Sequence, residues 1–297
     1  MKKIILAICL CIGFALHAQE EKKVLNIIAI GAHPDDCDFK FGGTATLMAK
    51  MGHKVKFLAI TNGDAGHQTE GGGALGKRRR AEAKKAGEIF GVEYDVLDNH
   101  DGELVPSLDI RHQVIRKIRE WDADVVLGLR PNDYHPDHRN AGVLVQDAAY
   151  LVIVPNVTPD TPALKKNPIF LYMNDGFQKP YPFTKDVAVV IDELMDTKIH
   201  ALAAHESQVF EWMPWLDGID LSEIPKGQAD RIIWMNKHYK RERTWKEDDI
   251  AAIEKWYPNM KAADAKHAEF FEICEYGKQP TEEDIKAIFP MLGVNKK

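Results

Sequence analysis

Little in this chain of 297 residues points to a scaffold held by cross-links, a membrane protein or a nucleic-acid binder. Cysteine is scarce, at four residues, and Cys9 and Cys11 fall in the first apolar stretch. The remaining Cys37 and Cys274 cannot make a disulfide framework. Only one long apolar run exists, residues 4–16, and it is shorter than the roughly 20 residues a spanning helix needs. Positive charge is not in excess, 39 Lys and Arg against 45 Asp and Glu: the formal net charge is −6, and the one basic cluster is Lys77-Arg78-Arg79-Arg80. A net acidic chain without a long basic stripe excludes nucleic acid as an expected partner. The first apolar strand is followed by His-Pro-Asp-Asp and lacks a glycine-rich phosphate turn, which disfavours a Rossmann-like nucleotide binder. There is no internal repeat and no extended low-complexity segment.

The apolar run has a different reading. Met1-Lys2-Lys3 is a basic start, residues 4–16 are almost wholly apolar, and Ala18 precedes Gln19 and a charged stretch. That order is the signature of a secretory signal peptide. We therefore expect residues 1–18 to be removed and the mature protein to be periplasmic or secreted, with no membrane span. Loss of Lys2 and Lys3 moves the formal charge from −6 to −8.

The remainder, with 45% hydrophobic and 28% charged residues, can bury one large core. Apolar runs at 25–30, 55–60, 94–97 and 124–129 read as strands. They alternate with helical patterns at 42–51, 77–90, 107–121 and 138–151, and Ser107 is placed to cap the third. This rhythm predicts an α/β fold, a Rossmann-like and mostly parallel sheet with helices on both faces. Residues 61–76 are expected as a glycine-rich loop. Further strands are expected at 170–173 and 187–191, and helices at 192–207, 228–240 and 281–288. The predicted organisation is one domain over 24–218 and a helical C-terminal extension over 219–297, packed on it.

In a parallel sheet, ligands bind beyond the carboxyl ends of the strands. Two chemically rich motifs fall there. Ala32-His33-Pro34-Asp35-Asp36 follows the first strand, and His135-Pro136-Asp137-His138 follows the fourth. Each alone is weak, since His and Asp also serve as loop and capping residues, and Asp137 could simply cap the next helix. Together they make a metal site the better account. His33, Asp36 and His138 offer two nitrogens and one carboxylate and leave a fourth position for water. Adjacent carboxylates in extended chain cannot point the same way, so one of the pair can bind metal while the other faces that water.

These motifs, in this order on this sheet, resemble the LmbE-like, or PIG-L, superfamily of zinc-dependent N-deacetylases over residues 25–208. The segments Tyr172-Met173-Asn174-Asp175-Gly176-Phe177-Gln178-Lys179-Pro180 and His205-Glu206-Ser207-Gln208 look like the branch acting on glucosaminyl-malate. The resemblance implies one zinc ion per chain on His33, Asp36 and His138, with other divalent metals open. It implies Asp35 as general base and His135 as the residue that steadies the oxyanion and protonates the leaving amine. It implies Arg79 and Asp101 as substrate contacts, and we add His205 as a candidate third. The implied partner is a small-molecule or glycan substrate, and a homo-oligomer is left open.

The blander readings are specific. Arg79 sits in a surface-looking helix, where a solvated salt bridge is as good an account. Asp101 can close a turn with Gly102, and His205 can cap a helix. His67 could form part of a lid, and Trp212 and Trp215 could flank a saccharide. A non-catalytic carbohydrate-binding protein on the same fold is the alternative function.

Overall fold

The computed structural model describes residues 23–240 and 244–293. The expected signal peptide lies outside the described residues. The chain runs β1 (Asn26–Gly31), α1 (Asp36–Lys50), β2 (Lys54–Thr61), α2 (Gly72–Phe90), β3 (Glu93–Asn99), α3 (Leu108–Glu120), β4 (Val125–Gly128) and α4 (Pro136–Leu151). It continues through β5 (Ile169–Met173), β6 (Val187–Val190), α5 (Met195–Leu202), α6 (Met213–Leu216), α7 (Gln228–Tyr239), α8 (Glu247–Trp256), β7 (Ala268–Gly277) and α9 (Glu282–Ile288).

The seven strands form one sheet in the order β3-β2-β1-β4-β5-β7-β6. The pairings from β3 to β5 are parallel, and β7 runs antiparallel to both β5 and β6. The unbroken apolar runs are explained by burial on both faces: Ile27, Ile28, Ala29 and Ile30 of β1 expose no surface. Helices α1, α2 and α5 pack against one another, and α3 packs on α4. Cys37 and Cys274 are buried free thiols.

The α/β, mostly parallel architecture matches the expectation, and the differences are local. Helix α1 starts at Asp36 and α4 at Pro136, so both site motifs lead directly into helices. The glycine-rich loop is shorter than expected, because Gly72 to Gly76 already belong to α2. The C-terminal segment contains α7, α8 and α9, but it also supplies β7, inserted between β5 and β6. Its alternation hides behind charged residues: Glu269 and Glu272 are buried there because each finds polar partners, Glu269 at Lys198 and Glu272 at the Thr184 amide. No helix among the described residues is long and apolar enough to cross a membrane.

The chain goes from β1 outward to β2 and β3, then returns to place β4 on the other side of β1. The order reverses between β1 and β4, and a crevice opens at such a switch point beyond the strand ends. The two motifs leave the sheet there.

Candidate active site

Beyond β1 the backbone folds back on itself. The amides of Asp35 and Asp36 both donate to the His33 carbonyl, at 2.9 and 3.3 Å. Asp36 Oδ2 accepts from the amides of Ala32 and His33 at 2.8 and 2.9 Å, which leaves Oδ1 to point outward. This reversal needs Gly31, because a Cβ there would lie 2.6 Å from Asp36 Cβ. As the first residue of α1, Asp36 also sits where the helix dipole favours negative charge.

Beyond β4 the turn carries Asp133, which accepts from the His135 amide at 3.1 Å and bonds His138 Nδ1 at 3.0 Å. His135 caps α4 with its own ring: Nδ1 accepts from the Asp137 amide at 3.1 Å. Asp137, for which helix capping was the alternative reading, is fully buried and accepts from the amides of Gly102 and Leu104 at 2.7 and 3.2 Å. It thereby draws the β3–α3 loop, with Asp101, into the crevice.

The three expected ligands converge. His33 Nδ1 lies 3.1 Å from His138 Nε2, which lies 3.2 Å from Asp36 Oδ1, and His33 Nδ1 lies 3.9 Å from Asp36 Oδ2. A tetrahedral ion with ligands at about 2.0–2.1 Å spaces its donors about 3.3 Å apart. The outer nitrogens fix the tautomers. His33 Nε2 faces Asp101 Oδ1 at 2.9 Å and Asp137 Oδ2 at 3.3 Å, and His138 Nδ1 faces Asp133. Protons on those nitrogens leave His33 Nδ1 and His138 Nε2 as facing lone pairs beside a carboxylate, an arrangement that a cation reconciles. Carboxylates behind metal-binding histidines are the usual means of aiming them. Two other groupings among the described residues are also tight enough to hold an ion, His33 with His135 and His138, and His33 with Asp101 and Asp137. Asp137 is already committed to two amides, so the His33 Nδ1 side is the better seat.

The electrostatics agree. Burial works against a charged His33, but its hydrogen bonds to the Asp101 and Asp137 carboxylates and the charge of Asp36 raise its pKa to about 9. Burial likewise opposes charge on His138, and Asp36 and Asp133 raise it to about 10. Burial pushes Asp36 up, yet His138 and His33 hold it far below the usual carboxylate range. The pocket is built to hold positive charge.

Asp35 and His135 flank this cluster with the opposite tendencies. Burial raises the Asp35 pKa, and Arg79 pulls against it. His135 is lowered by burial, then by His33 and His138. Its ring stands edge-on to His33 at 4.7 Å between centroids, and its ligand atoms lie within 4.8 Å of those of His33 and His138. With Nδ1 accepting a backbone N–H, the neutral ring carries its proton on Nε2.

Of the other candidates, Arg79 and Asp101 lie at the site and His205 lies behind it. Arg79 is 2% exposed, not a surface residue; it donates to Asp35 Oδ2 at 3.1 Å and to the Pro34 carbonyl at 3.2 Å. Gly63, at φ 71°, makes room for that guanidinium: a Cβ there would lie 2.5 Å from Arg79 Nη1. Asp101 is bound to His33 and is 8% exposed. His205 exposes no surface; its Nε2 bonds Asp38 Oδ1 at 2.8 Å, and the Tyr94 hydroxyl donates to Asp38 Oδ2 at 2.8 Å. It offers no surface to a substrate, because it is packed behind the turn that carries Asp35. His67 is tied to Glu211 at 2.8 Å, and Arg78 grips the same carboxylate at 2.6 Å, so the loop after β2 is pinned. Trp212 and Trp215 stack at 5.3 Å, with Trp215 49% exposed. Sequence reasoning missed Asp133; its only signal was a carboxylate in the turn before the second motif.

Comparison with known proteins follows the same lines. The family model PIG-L, described as GlcNAc-PI de-N-acetylase, matches residues 28–149. The chain is 33% identical over 210 residues to diacetylchitobiose deacetylase of Thermococcus kodakarensis, covering 67% of this chain and 77% of that protein. It is 26% identical over 193 residues to a probable N-acetyl-alpha-D-glucosaminyl L-malate deacetylase 2 of Bacillus cereus, covering 62% and 83%. Among solved structures, N,N'-diacetylchitobiose deacetylase from Pyrococcus horikoshii superposes with a TM-score of 0.61 at 22% identity, over 84% of this chain and 83% of that one. The 4-carboxy-2-hydroxymuconate hydratase of Pseudomonas putida superposes with a TM-score of 0.60 at 18% identity, over 86% and 96%. The fold therefore carries more than one chemistry and does not decide between them.

Proposed function

The chain belongs to the PIG-L, or LmbE-like, family of de-N-acetylases, and from that premise we propose that it hydrolyses the acetamide of an N-acetylglucosamine-type sugar or glycoconjugate, releasing acetate and a free amine. The observation that carries this reading is the convergence of His33 Nδ1 and His138 Nε2, 3.1 Å apart, beside the Asp36 carboxylate, with Asp35 and His135 flanking them. His33, Asp36 and His138 would hold a divalent ion, zinc by the nature of the donors. When bound, that ion supplies positive charge that polarises a carbonyl and acidifies water.

The protein's own groups divide the remaining work. Asp35, buried and raised in pKa, takes a proton from the attacking water and returns it to the amine nitrogen as the C–N bond breaks. Arg79 fixes the direction of that carboxylate, and the pair acts through position more than through net charge. His135 donates from Nε2 to the oxygen of the tetrahedral intermediate. Because its Nδ1 already accepts from the Asp137 amide, the ring works as a neutral donor, and the amine's proton is assigned to Asp35. Asp101, Asp137 and Asp133 hold the two histidines in the required tautomers. We further propose that the enzyme acts outside the cytoplasmic membrane, on the strength of the basic and apolar N-terminal pattern.

The test is a panel of N-acetyl sugars assayed for free amine, with metal-stripped protein as control. Amine release that is lost on stripping and restored by zinc is expected. A metal-loaded protein that binds the sugars but releases no amine from any of them would replace this reading with a carbohydrate-binding one.

A further inference from the structure

Beside α4, over the strip of sheet formed by β5 and β7, lies a cleft of about 390 Å³. It stands apart from the catalytic turn. Gln146, which borders it, follows His138 on α4 by eight residues, or about 12 Å along the helix. The strands themselves open it. Leu171 pairs with Ile273 and Ile169 with Gly277, so β7 spends four steps where β5 spends two. Such a bulge bends the strand and re-aims its side chains. Glu275 and Tyr276, in the bulge, are exposed at the rim.

Three phenol rings and three carboxylates line this cleft: Tyr172, Tyr181, Tyr276, Asp186, Glu272 and Glu275. No lysine or arginine among the described residues lines it. Glu272 is the unusual member. It is 8% exposed, and its Oε2 accepts from the Thr184 amide at 2.8 Å, with Arg130 Nη1 at 3.7 Å. That arginine is already matched by Asp175, to which Nε and Nη2 donate at 2.7 and 2.5 Å. Among the described residues no hydrogen bond reaches Glu272 Oε1. Burial pushes this carboxyl above its ordinary value, so its charge is costly until a cation meets it. Tyr172 adds a donor. Its hydroxyl accepts from Gln146 Nε2 at 2.6 Å and from Cys274 Sγ at 3.1 Å, which leaves its own proton for another acceptor. Past Gln146 and Tyr276 the cleft runs on into a depression lined by Asn167, whose Oδ1 is buried with no hydrogen-bond partner among the described residues.

We propose that this cleft is a second binding site, separate from the catalytic crevice, for a protonated amino sugar: Glu272 Oε1 receives the ammonium, Tyr181 and Tyr276 lie against the ring, and the Tyr172 hydroxyl donates to a sugar oxygen. An ammonium supplies what the buried carboxylate lacks, through a charge-assisted hydrogen bond. Phenol faces attract the same cation and pack on the apolar face of a ring. The volume is that of a small-molecule site. The demand for a cation comes from the lining alone; the choice of an amino sugar rests on the deacetylase reading, whose product carries a free amine. A glycan with some units already deacetylated would be held here by those units.

The experiment is calorimetric titration of the zinc-loaded full chain with glucosamine, with glucose, which lacks the ammonium, and with methylamine, which lacks the ring. Glucosamine is expected to bind about tenfold or more tightly than either, and less tightly as salt rises. Glu272→Gln should raise its Kd about tenfold, the scale of a charge-assisted hydrogen bond. Tyr276→Ala should raise it about two- to fivefold, the scale of an exposed cation–π contact, and leave zinc content unchanged. If Glu272→Gln does not fold, Tyr276→Ala and Glu275→Gln decide. Glucose or methylamine binding as tightly as glucosamine overturns the proposal. So does glucosamine binding that the cleft variants leave unmoved, which puts the sugar in the catalytic crevice. An oligomer that Tyr276→Arg splits, with no glucosamine bound at the cleft, overturns it in favour of an interface between copies. The titration involves no turnover, so the two readings fail separately: a chain that deacetylates nothing yet binds glucosamine through Glu272 keeps the cleft and loses the deacetylase reading, and a chain that releases amine without this binding does the reverse.

Discussion

In the metal-free protein a proton occupies the place proposed for the ion, and its removal can be measured. His33 Nδ1 and His138 Nε2 face each other at 3.1 Å, a hydrogen-bond distance with room for a single proton. Their outer nitrogens are committed to Asp101, Asp137 and Asp133, so that inner proton is the exchangeable one. Burial disfavours it, but the surrounding carboxylates dominate and hold the two rings at about 9 and about 10. Each facing nitrogen could take a proton by that measure alone, yet two N–H groups cannot point at each other across this gap. One proton must therefore leave for each ion bound. From about pH 6.5 to about 9 the apparent Kd for zinc should fall about tenfold per pH unit, equal to about 1.4 kcal/mol, and level off above. Metal-stripped protein titrated with zinc in two buffers of different ionisation enthalpy gives the proton count directly, and chelator competition across the pH range gives the slope. Zinc binding with no proton release and a pH-independent Kd would refute the facing-lone-pair geometry and with it the ligand assignment.

Four further outcomes follow from the same site. Asp35→Asn should keep its zinc and lose kcat by about 10²–10⁴-fold, the usual worth of a general acid or base; steady-state rates with metal content checked decide it. His135→Ala should lower kcat by about 10²–10³-fold with little change in KM, as removal of an oxyanion donor does, and near-normal kcat would place that donor elsewhere. Asp101→Asn should weaken zinc binding by about 10–100-fold, because it orients His33 and is not itself a ligand, measured by the same chelator competition. In the metal-free protein, the proton shared by His33 and His138 is held above the ordinary imidazole value of 6.5, so the stability it contributes is complete below that value and lost as pH rises through about 9–10. Its melting temperature should fall across that alkaline window, and that of the zinc-loaded protein should hold.

The parts of this site that could be read from the sequence are those whose chemistry and position coincide in a few adjacent residues. His33 and Asp36 are fixed by one turn after β1, and His138 by one turn after β4; strand periodicity alone places both turns at the same sheet edge. The residues that aim those ligands were harder, because their function depends on contacts distant in sequence. Asp101 reaches His33 only because Asp137 captures the amides of Gly102 and Leu104. Nothing local to Asp101 announces this. Arg79 looks solvated in its own helix, since α2 is rich in charge; it is buried because Gly63 and Gly66, in the loop after β2, leave space where Cβ atoms would collide with it or crowd it. His205 has the same logic in reverse: a histidine beside the site in sequence resemblance is sealed away by Asp38, one turn below the Asp35 carboxylate. β7 escaped notice because its buried glutamates imitate a surface pattern, and only Lys198 and the Thr184 amide, far away in the chain, make those positions interior. Local spacing thus discloses which atoms can do the chemistry. Which atoms hold them in place is decided by long-range pairing, and it is there that substitutions distant in sequence from the two motifs should change metal affinity without touching a ligand.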